Sequence, residues 1–301
     1  MEKKTCRLCD QLNFTKIPVR HVLGDCSYSL IQCTNCSLIT IDPMPSPEAV
    51  KSFYCDKYFE KDYRCGIRSH GYYEEESAAI EKANQLLPRV KKLKPQGVLL
   101  EIGCAGGTFL DRASKMGYQV EGVELSQSMS RKASDIYGVQ VRQGDFEELQ
   151  FMDESFDIVC MFDVFEHFRE PGKALEKIHR MLKPGGIVVI DVPTTKNALP
   201  FKLSVNLLNI AKKTRRISSP PYHLYEYLPA TLQGFLSRAK FEQCELQKYS
   251  TPPRKYLSQD GPKTKKVLVS LIRYLNYFLS MTFEIYTDRL LIIAQKGADK
   301  R

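Results

Sequence analysis

The sequence predicts an α/β fold, a largely parallel sheet with helices on both faces, preceded by a small cysteine-bearing module. Three observations carry this. Short apolar runs alternate with amphipathic stretches from Gly97 to Val192, the pattern of strands joined by crossover helices. The first apolar run feeds a glycine-rich turn at Gly103–Gly107. Two Cys-x-x-Cys pairs, Cys6/Cys9 and Cys33/Cys36, stand ahead of it.

Gly97-Val-Leu-Leu-Glu-Ile-Gly103 is long enough for a buried strand. Gly103, Gly106 and Gly107 let the backbone turn tightly and approach a ligand. A helix follows from Thr108, with Phe109, Leu110, Ala113 and Met116 on one face and Gly117 as its stop. Tyr118–Glu124 reads as the second strand, and Val139–Phe146 as the third, ending in Gly144-Asp145-Phe146. Ser155–Asp163 is the fourth strand and runs into Val164-Phe-Glu166-His167. Pro171 opens a helix through Leu182, which Lys183-Pro-Gly-Gly186 stops, and Ile187–Val192 is the fifth strand.

Glu124 lies 21 residues after Gly103, at the tip of the second strand. A carboxylate there accepts hydrogen bonds from ribose hydroxyls, so the unit suits an adenosine-containing cofactor. A dinucleotide site would show Gly-x-Gly-x-x-Gly. Here Glu101 precedes the turn, where it would repel a pyrophosphate, and a cationic ligand fits better. S-adenosylmethionine carries a sulfonium and an ammonium and no phosphate. An ordinary glycine turn is the competing reading of this segment alone.

The whole succession resembles class I S-adenosylmethionine-dependent methyltransferases. The run from Phe156 to Pro193 is especially similar to the branch that includes ubiquinone-pathway O-methyltransferases. The resemblance covers about residues 95–250 and the closing strand Arg289–Gln295. It implies a Rossmann-like, seven-stranded, mostly parallel sheet with an antiparallel last strand. It assigns Glu101 and Gly103 to the methionine end of the cofactor, Glu124 to ribose, Asp145 and Phe146 to adenine, and Phe162 and Asp163 to the cofactor wall. Cys104, Ala105, Gly107 and Leu125 complete the cofactor-binding set. Ala105 stands where a glycine is usual, and alanine is small enough for binding to survive.

The two cysteine pairs are separated by 23 residues. They can supply four thiolates in a tetrahedron, which suits a structural zinc ion at Cys6, Cys9, Cys33 and Cys36. A redox pair or coincidence is the alternative, and Cys26 is a weaker alternative ligand. The start Met-Glu-Lys-Lys-Thr lacks the apolar stretch of a signal peptide. A reducing cytoplasm is therefore expected, where paired knuckles mean metal more often than disulfides. The expected division is a zinc-ribbon-like module at 1–57, linker helices at 58–94, and the catalytic domain at 95–301. Basic helical insertions are expected at 196–227 and 252–288. The front module resembles the one joined to methyltransferases of bacterial sugar and cell-surface polysaccharide pathways. C-methylating relatives usually carry a further C-terminal domain, so the resemblance implies O-methylation.

The formal net charge is +9. Residues 1–57 are nearly neutral, with seven basic and six acidic side chains. Residues 196–216 hold six basic residues and no acid, and residues 254–273 hold six basic and one acidic. Both segments leave the carboxyl end of the sheet, where ligands bind in open α/β folds. That favours an anionic acceptor such as a sugar nucleotide, a diphosphate-linked lipid or a phosphorylated glycan. Val267–Phe283 is mostly apolar, with Lys263, Lys265 and Lys266 before it. It is short for a spanning helix of ~20 apolar residues. It reads either as a helix lying in a membrane interface at the inner face or as a lid packed on the domain.

An acceptor hydroxyl benefits from a base. His223 and Tyr222 follow the first basic insertion and lead the candidates for acceptor contact, and His167 follows the fourth strand. Tyr72 and Tyr73 precede a helix expected to cross the cofactor pocket. Two other functions compete. A zinc-knuckle ribosomal RNA methyltransferase would share this layout, but the neutral front module argues against nucleic acid. A non-catalytic cofactor-binding scaffold would not need the full set of Glu101, Gly103, Glu124 and Asp145.

Overall fold

The computed structural model describes residues 5–53, 76–253 and 263–297, with the side chains of 76–78 and 263–266 left aside. Tyr72, Tyr73, Cys55 and Cys65 lie outside the described residues. Two sheets share one core. The larger contains β4 (Val98–Ile102), β5 (Gln119–Glu124), β6 (Gln140–Gln143), β7 (Phe156–Phe162), β8 (Leu182–Pro193), β11 (Phe241–Tyr249) and β12 (Arg289–Lys296). Their order is β11-β12-β8-β7-β4-β5-β6. Pairing is parallel from β8 through β6, and β12 runs antiparallel to both its neighbours. This is the seven-stranded Rossmann-like sheet that the strand pattern and the resemblance imply.

The strands are apolar on both faces because both faces are covered. Leu99, Ile158, Val189 and Ile293 point to α2 (Glu76–Leu93) and α3 (Thr108–Lys115). Their neighbours Leu100, Val159, Val188 and Ile292 point to the opposite core, with α5 (Pro171–Met181) and α7 (Pro229–Arg238). All eight are at most 2% exposed, and each such burial contributes about 1.5–3 kcal/mol. The chain runs outward from β4 through β5 to β6, then returns to β7 on the other side of β4. That reversal is the switch point, and the crevice outside the carboxyl ends of β4 and β7 is where ligands bind in such sheets.

One strand boundary differs from expectation. Lys183–Gly186 does not merely end the helix; it belongs to β8. Phe156 pairs with Leu182 and Ile158 with Ile187, so these four residues bulge from the ladder. Lys183 is held there by Asp157 at 2.7 Å.

The small sheet has the order β10-β3-β2-β1-β9. β1 (Phe14–Leu23), β2 (Cys26–Cys33) and β3 (Ile39–Asp42) come from the front of the chain. β9 (Arg215–Ile217) and β10 (Tyr225–Glu226) come from the segment after β8. The insertion at 196–227 is thus only partly helical. It forms α6 (Leu199–Ile210) and then pairs with both edges of the small sheet, satisfying backbone groups left open there. The front of the chain and the catalytic domain also share a core, in which Leu8, Val19 and Leu30 join Phe235 and Leu224.

The second insertion forms α8 (Lys263–Phe283), which lies against α6. Asn276 of α8 accepts the Leu199 N–H at 2.7 Å. The other faces are open: Leu207, Ile210, Val267, Leu271, Phe278 and Met281 are exposed. No helix among the described residues is long and apolar enough to cross a membrane.

Candidate functional site

The cradle begins at the end of β4. Gly103 and Cys104 donate their N–H groups to the Val123 carbonyl at 2.8 and 3.1 Å, which folds the turn over β5. Gly103 has φ +71, Ala105 φ +45 and Gly107 φ +81, so three turn residues adopt the left-handed conformation. A side chain is tolerated at 105 but not at 107, where a Cβ would stand 2.8 Å from that of Ala133. Glu124 closes the cradle. Its Oε2 accepts the Ala105 N–H at 2.9 Å and its Oε1 accepts the Ser126 N–H at 2.8 Å. Each oxygen keeps a further lone pair for a ligand hydroxyl. Leu125 follows at the entry to α4 (Gln127–Tyr137), whose N-cap is Ser126.

Glu101 is 5% exposed and its Oε2 has no hydrogen-bond partner among the described residues. Burial raises its carboxyl well above the usual range; Lys82 opposes this and Glu124 adds to it. An orphaned acid beside a glycine turn fits a cationic ligand and disfavours a phosphate.

Other predicted wall residues are distributed differently. Asp145 sits at the end of β6 and accepts the Glu147 N–H at 2.8 Å. Phe146 is 3% exposed, with its ring among Phe151, Phe168 and the Lys177 ammonium. Its ring is therefore packed into the core. Phe162 packs edge-on to Phe109 at 4.7 Å. Asp163 has φ +58 and joins a charged cluster. Lys82 of α2 reaches Asp163 at 3.1 Å and Asp191 at 3.0 Å. Arg289 binds both acids, and Tyr249 donates to Asp191 at 2.9 Å. Burial works against the Asp163 carboxylate, but Arg289 and Lys82 hold its pKa far below the usual range.

A second cluster lies beyond β7. Glu166 and His167 sit on a short helical turn, Phe165–His167. His223 comes from the segment entering β10 and is placed by its neighbour: Leu224 donates its N–H to the Glu166 carbonyl at 3.0 Å, while its own carbonyl accepts from Thr40 at 2.9 Å. The two imidazoles stand 5.2 Å apart. His223 Nδ1 lies 3.3 Å from Glu226 Oε1, and Lys196 reaches the same oxygen at 3.2 Å. Glu166 is fully buried, and burial pushes its carboxyl up to about 8. Burial pushes His167 down to about 4. Tyr222 contributes its carbonyl, 2.7 Å from His167 Nδ1, while its ring is buried against Phe53.

Residues 100–190 match the family model described as a methyltransferase domain. The chain carries a class I S-adenosylmethionine-dependent methyltransferase domain. It is similar to a ubiquinone biosynthesis O-methyltransferase of Azorhizobium caulinodans, 29% identical over 49% of this chain and 60% of that one. It is also 31% identical to a 27-O-demethylrifamycin SV methyltransferase of Amycolatopsis mediterranei, over 39% and 47% respectively. The chain spans less than two thirds of the length of these relatives. An S-adenosylmethionine-dependent methyltransferase structure from Archaeoglobus fulgidus superposes with a TM-score of 0.52 at 20% identity, over 75% of this chain and 99% of that one.

Ahead of this methyltransferase domain, the four cysteines converge. Cys6 and Cys36 have sulfurs 3.5 Å apart, as do Cys9 and Cys33, and all four lie within 4.8 Å of one another. The two knuckles repeat one geometry. Asp10 and Ser37 each adopt positive φ and donate an N–H back to the first cysteine of the pair, at 2.9 and 3.0 Å. Sulfurs about 3.8 Å apart are what a tetrahedral zinc with Zn–S of ~2.3 Å requires, so the set fits that ion. Cys26 is exposed and outside the group. Sequence reasoning missed Lys82, Asp191, Arg289 and Tyr249 around Asp163, and Glu166, Glu226 and Lys196 around His223. An acid inside the apolar run Val188–Val192 and an acid next to His167 were the available signals.

Proposed function

We propose that this protein is an S-adenosylmethionine-dependent O-methyltransferase acting on a sugar, a sugar nucleotide or, best of all, a lipid-linked glycan. The observation that carries the methyl-donor half is the cradle: Glu101 orphaned before the glycine turn, and Glu124 with lone pairs to spare after it. The cofactor's chemistry is a methyl group made electrophilic by a sulfonium. This chain's residues hold the cofactor through Glu101, Gly103, Cys104, Ala105, Gly107, Glu124, Leu125 and Asp145. Phe162 and the Asp163 cluster form the neighbouring wall. Alignment of this kind can supply about 7–11 kcal/mol. His223, with His167 and Glu166, lines the acceptor side and orients the hydroxyl.

The anionic, lipid-linked acceptor is supported by surface chemistry. Lys212, Lys213, Arg215 and Arg216 are exposed beside the apolar faces of α6 and α8. An apolar face flanked by cations suits an anionic bilayer surface. The four-cysteine group, holding a structural zinc, adds the likeness to polysaccharide-pathway enzymes; four thiolates leave no open position for catalysis. Incubation with labelled S-adenosylmethionine and a lipid-linked glycan pool should give a methylated glycan. Glu124→Ala should lose cofactor binding by calorimetry, and unchanged binding would remove the pocket assignment. Flotation with anionic liposomes at low salt should recover the protein; no recovery would remove the lipid contact.

A further inference from the structure

We infer that Glu166, His167 and His223 bind a divalent transition-metal cation on the acceptor side of the sheet, at a site separate from the four thiols. The inference deepens the acceptor reading above and rests on it only for the cation's role. Three observations converge. Glu166 is 0% exposed, and neither of its carboxylate oxygens has a hydrogen-bond partner among the described residues. His167 Nε2 and His223 Nε2 each stand 3.8 Å from Glu166 Oε1. That is beyond hydrogen-bond range of roughly 2.7–3.2 Å. The ligand atoms of all three residues lie within 4.8 Å of one another. A cation about 2.0–2.2 Å from each ligand would draw them to roughly 3–3.5 Å apart, a closure of about 0.3–0.8 Å for each imidazole–carboxylate pair now at 3.8 Å.

The surroundings are those of metal-bound imidazoles, whose second nitrogen is normally fixed by a carbonyl or carboxylate. His167 Nδ1 is fixed by the Tyr222 carbonyl at 2.7 Å. His223 Nδ1 is fixed by Glu226, itself held by Lys196 at 3.2 Å and approached by Thr195. Both rings thus turn Nε2 to the same buried oxygen. Two imidazoles and one carboxylate select zinc, cobalt, manganese or ferrous iron over magnesium or calcium and leave coordination positions open. The open side is that of His223, whose side chain is 31% exposed against 0% for Glu166. There the cation would hold an acceptor oxygen. A dication also offsets the cost of a buried carboxylate that has no hydrogen-bond partner among the described residues.

The test uses the full chain with its thiol site first saturated with zinc, then titrated with Co2+ and followed by visible absorption. One further equivalent should bind, with ligand-field bands and no added sulfur-to-cobalt charge-transfer absorption. Glu166→Gln, which keeps the side chain's shape, and His223→Gln should each weaken that uptake at least tenfold. Glu124→Ala should take up Co2+ like the wild type while losing the cofactor. No uptake beyond the thiol site, or equal uptake by wild type, Glu166→Gln and His223→Gln, would overturn the proposal. Uptake without methylation of any glycan would leave the metal site standing and remove the acceptor assignment instead.

Discussion

Gly103→Ala tests whether the cradle is as rigid as its geometry implies. Gly103 has φ +71, and a methyl there would overlap Val164 Cγ2. The left-handed conformation costs an L-residue about 1–2 kcal/mol, and forcing a methyl into a packed site costs about 1–3 kcal/mol. The turn cannot flip away, because the Gly103 and Cys104 N–H groups are both held by the Val123 carbonyl. The expected loss is therefore about 2–5 kcal/mol, read by urea unfolding, with a matching loss of cofactor affinity by calorimetry. Val164→Ala removes one partner of the overlap. In a double-mutant cycle it should return the steric part and leave the dihedral part. A Gly103→Ala protein within 0.5 kcal/mol of the wild type, still binding cofactor, would refute the reasoning. So would a cycle with no coupling between 103 and 164.

Arg289→Leu should destabilise by about 3–5 kcal/mol, because it strips a cation from the buried Asp191, with the half-exposed Asp163 losing a partner as well; a loss under 1 kcal/mol in urea would show that Lys82 alone suffices. Asp288 is raised by burial from near 3.8 to about 6. The folded state then binds the extra proton, so stability from this group is present below pH 4 and is lost as pH rises through 6, by up to about 3 kcal/mol. Asp288→Asn should stabilise at pH 8 and have no effect below pH 4, as read from denaturation midpoints; a pH-independent effect would count against it. Chelation should release a tightly held zinc, and Cys9→Ser with Cys36→Ser should abolish that release in a metal-indicator assay. A zinc content unaffected by both substitutions would exclude the knuckles as its ligands.

The large sheet was legible because its signals are local. Apolar runs such as Val188–Val192 declare buried strands whatever surrounds them, and the turn at Gly103–Gly107 needs its glycines for conformations other residues resist. The place of Glu124 at the end of β5 was legible from spacing. Phe146 was not, because a phenylalanine at a strand end is compatible with either the rim or the core, and Phe151, Phe168 and Lys177 decide for the core. β9 and β10 were illegible for another reason. Strands of three and two residues carry no periodicity and exist because β1 and β3 present open edges. The Lys82–Asp163–Asp191–Arg289 cluster joins four distant parts of the chain, and only the fold brings them together.

Long-range pairings also connect the thiol knuckles to His223. Arg238 of α7 donates to the Leu8 carbonyl and binds Asp10 at 3.0 Å, within the first knuckle. Arg7 binds Glu170 at 2.8 Å, at the start of α5. From the second knuckle the chain passes directly into β3, which pairs with β10, and Thr40 of β3 accepts its place beside Leu224 by donating to that residue's carbonyl. His223 is the next residue back, so its position is fixed by the small sheet as much as by the large one. Glu124 and the glycine turn, in contrast, are held by elements of the large sheet's own layer: Val123 of β5, Asp111 of α3, Ser126 at the entry to α4 and Gly144 after β6. Disturbing the four thiols should therefore displace His223 and leave the cradle in place. The small sheet thus supports His223, because the segment after β8 that carries this residue pairs with both of its edges.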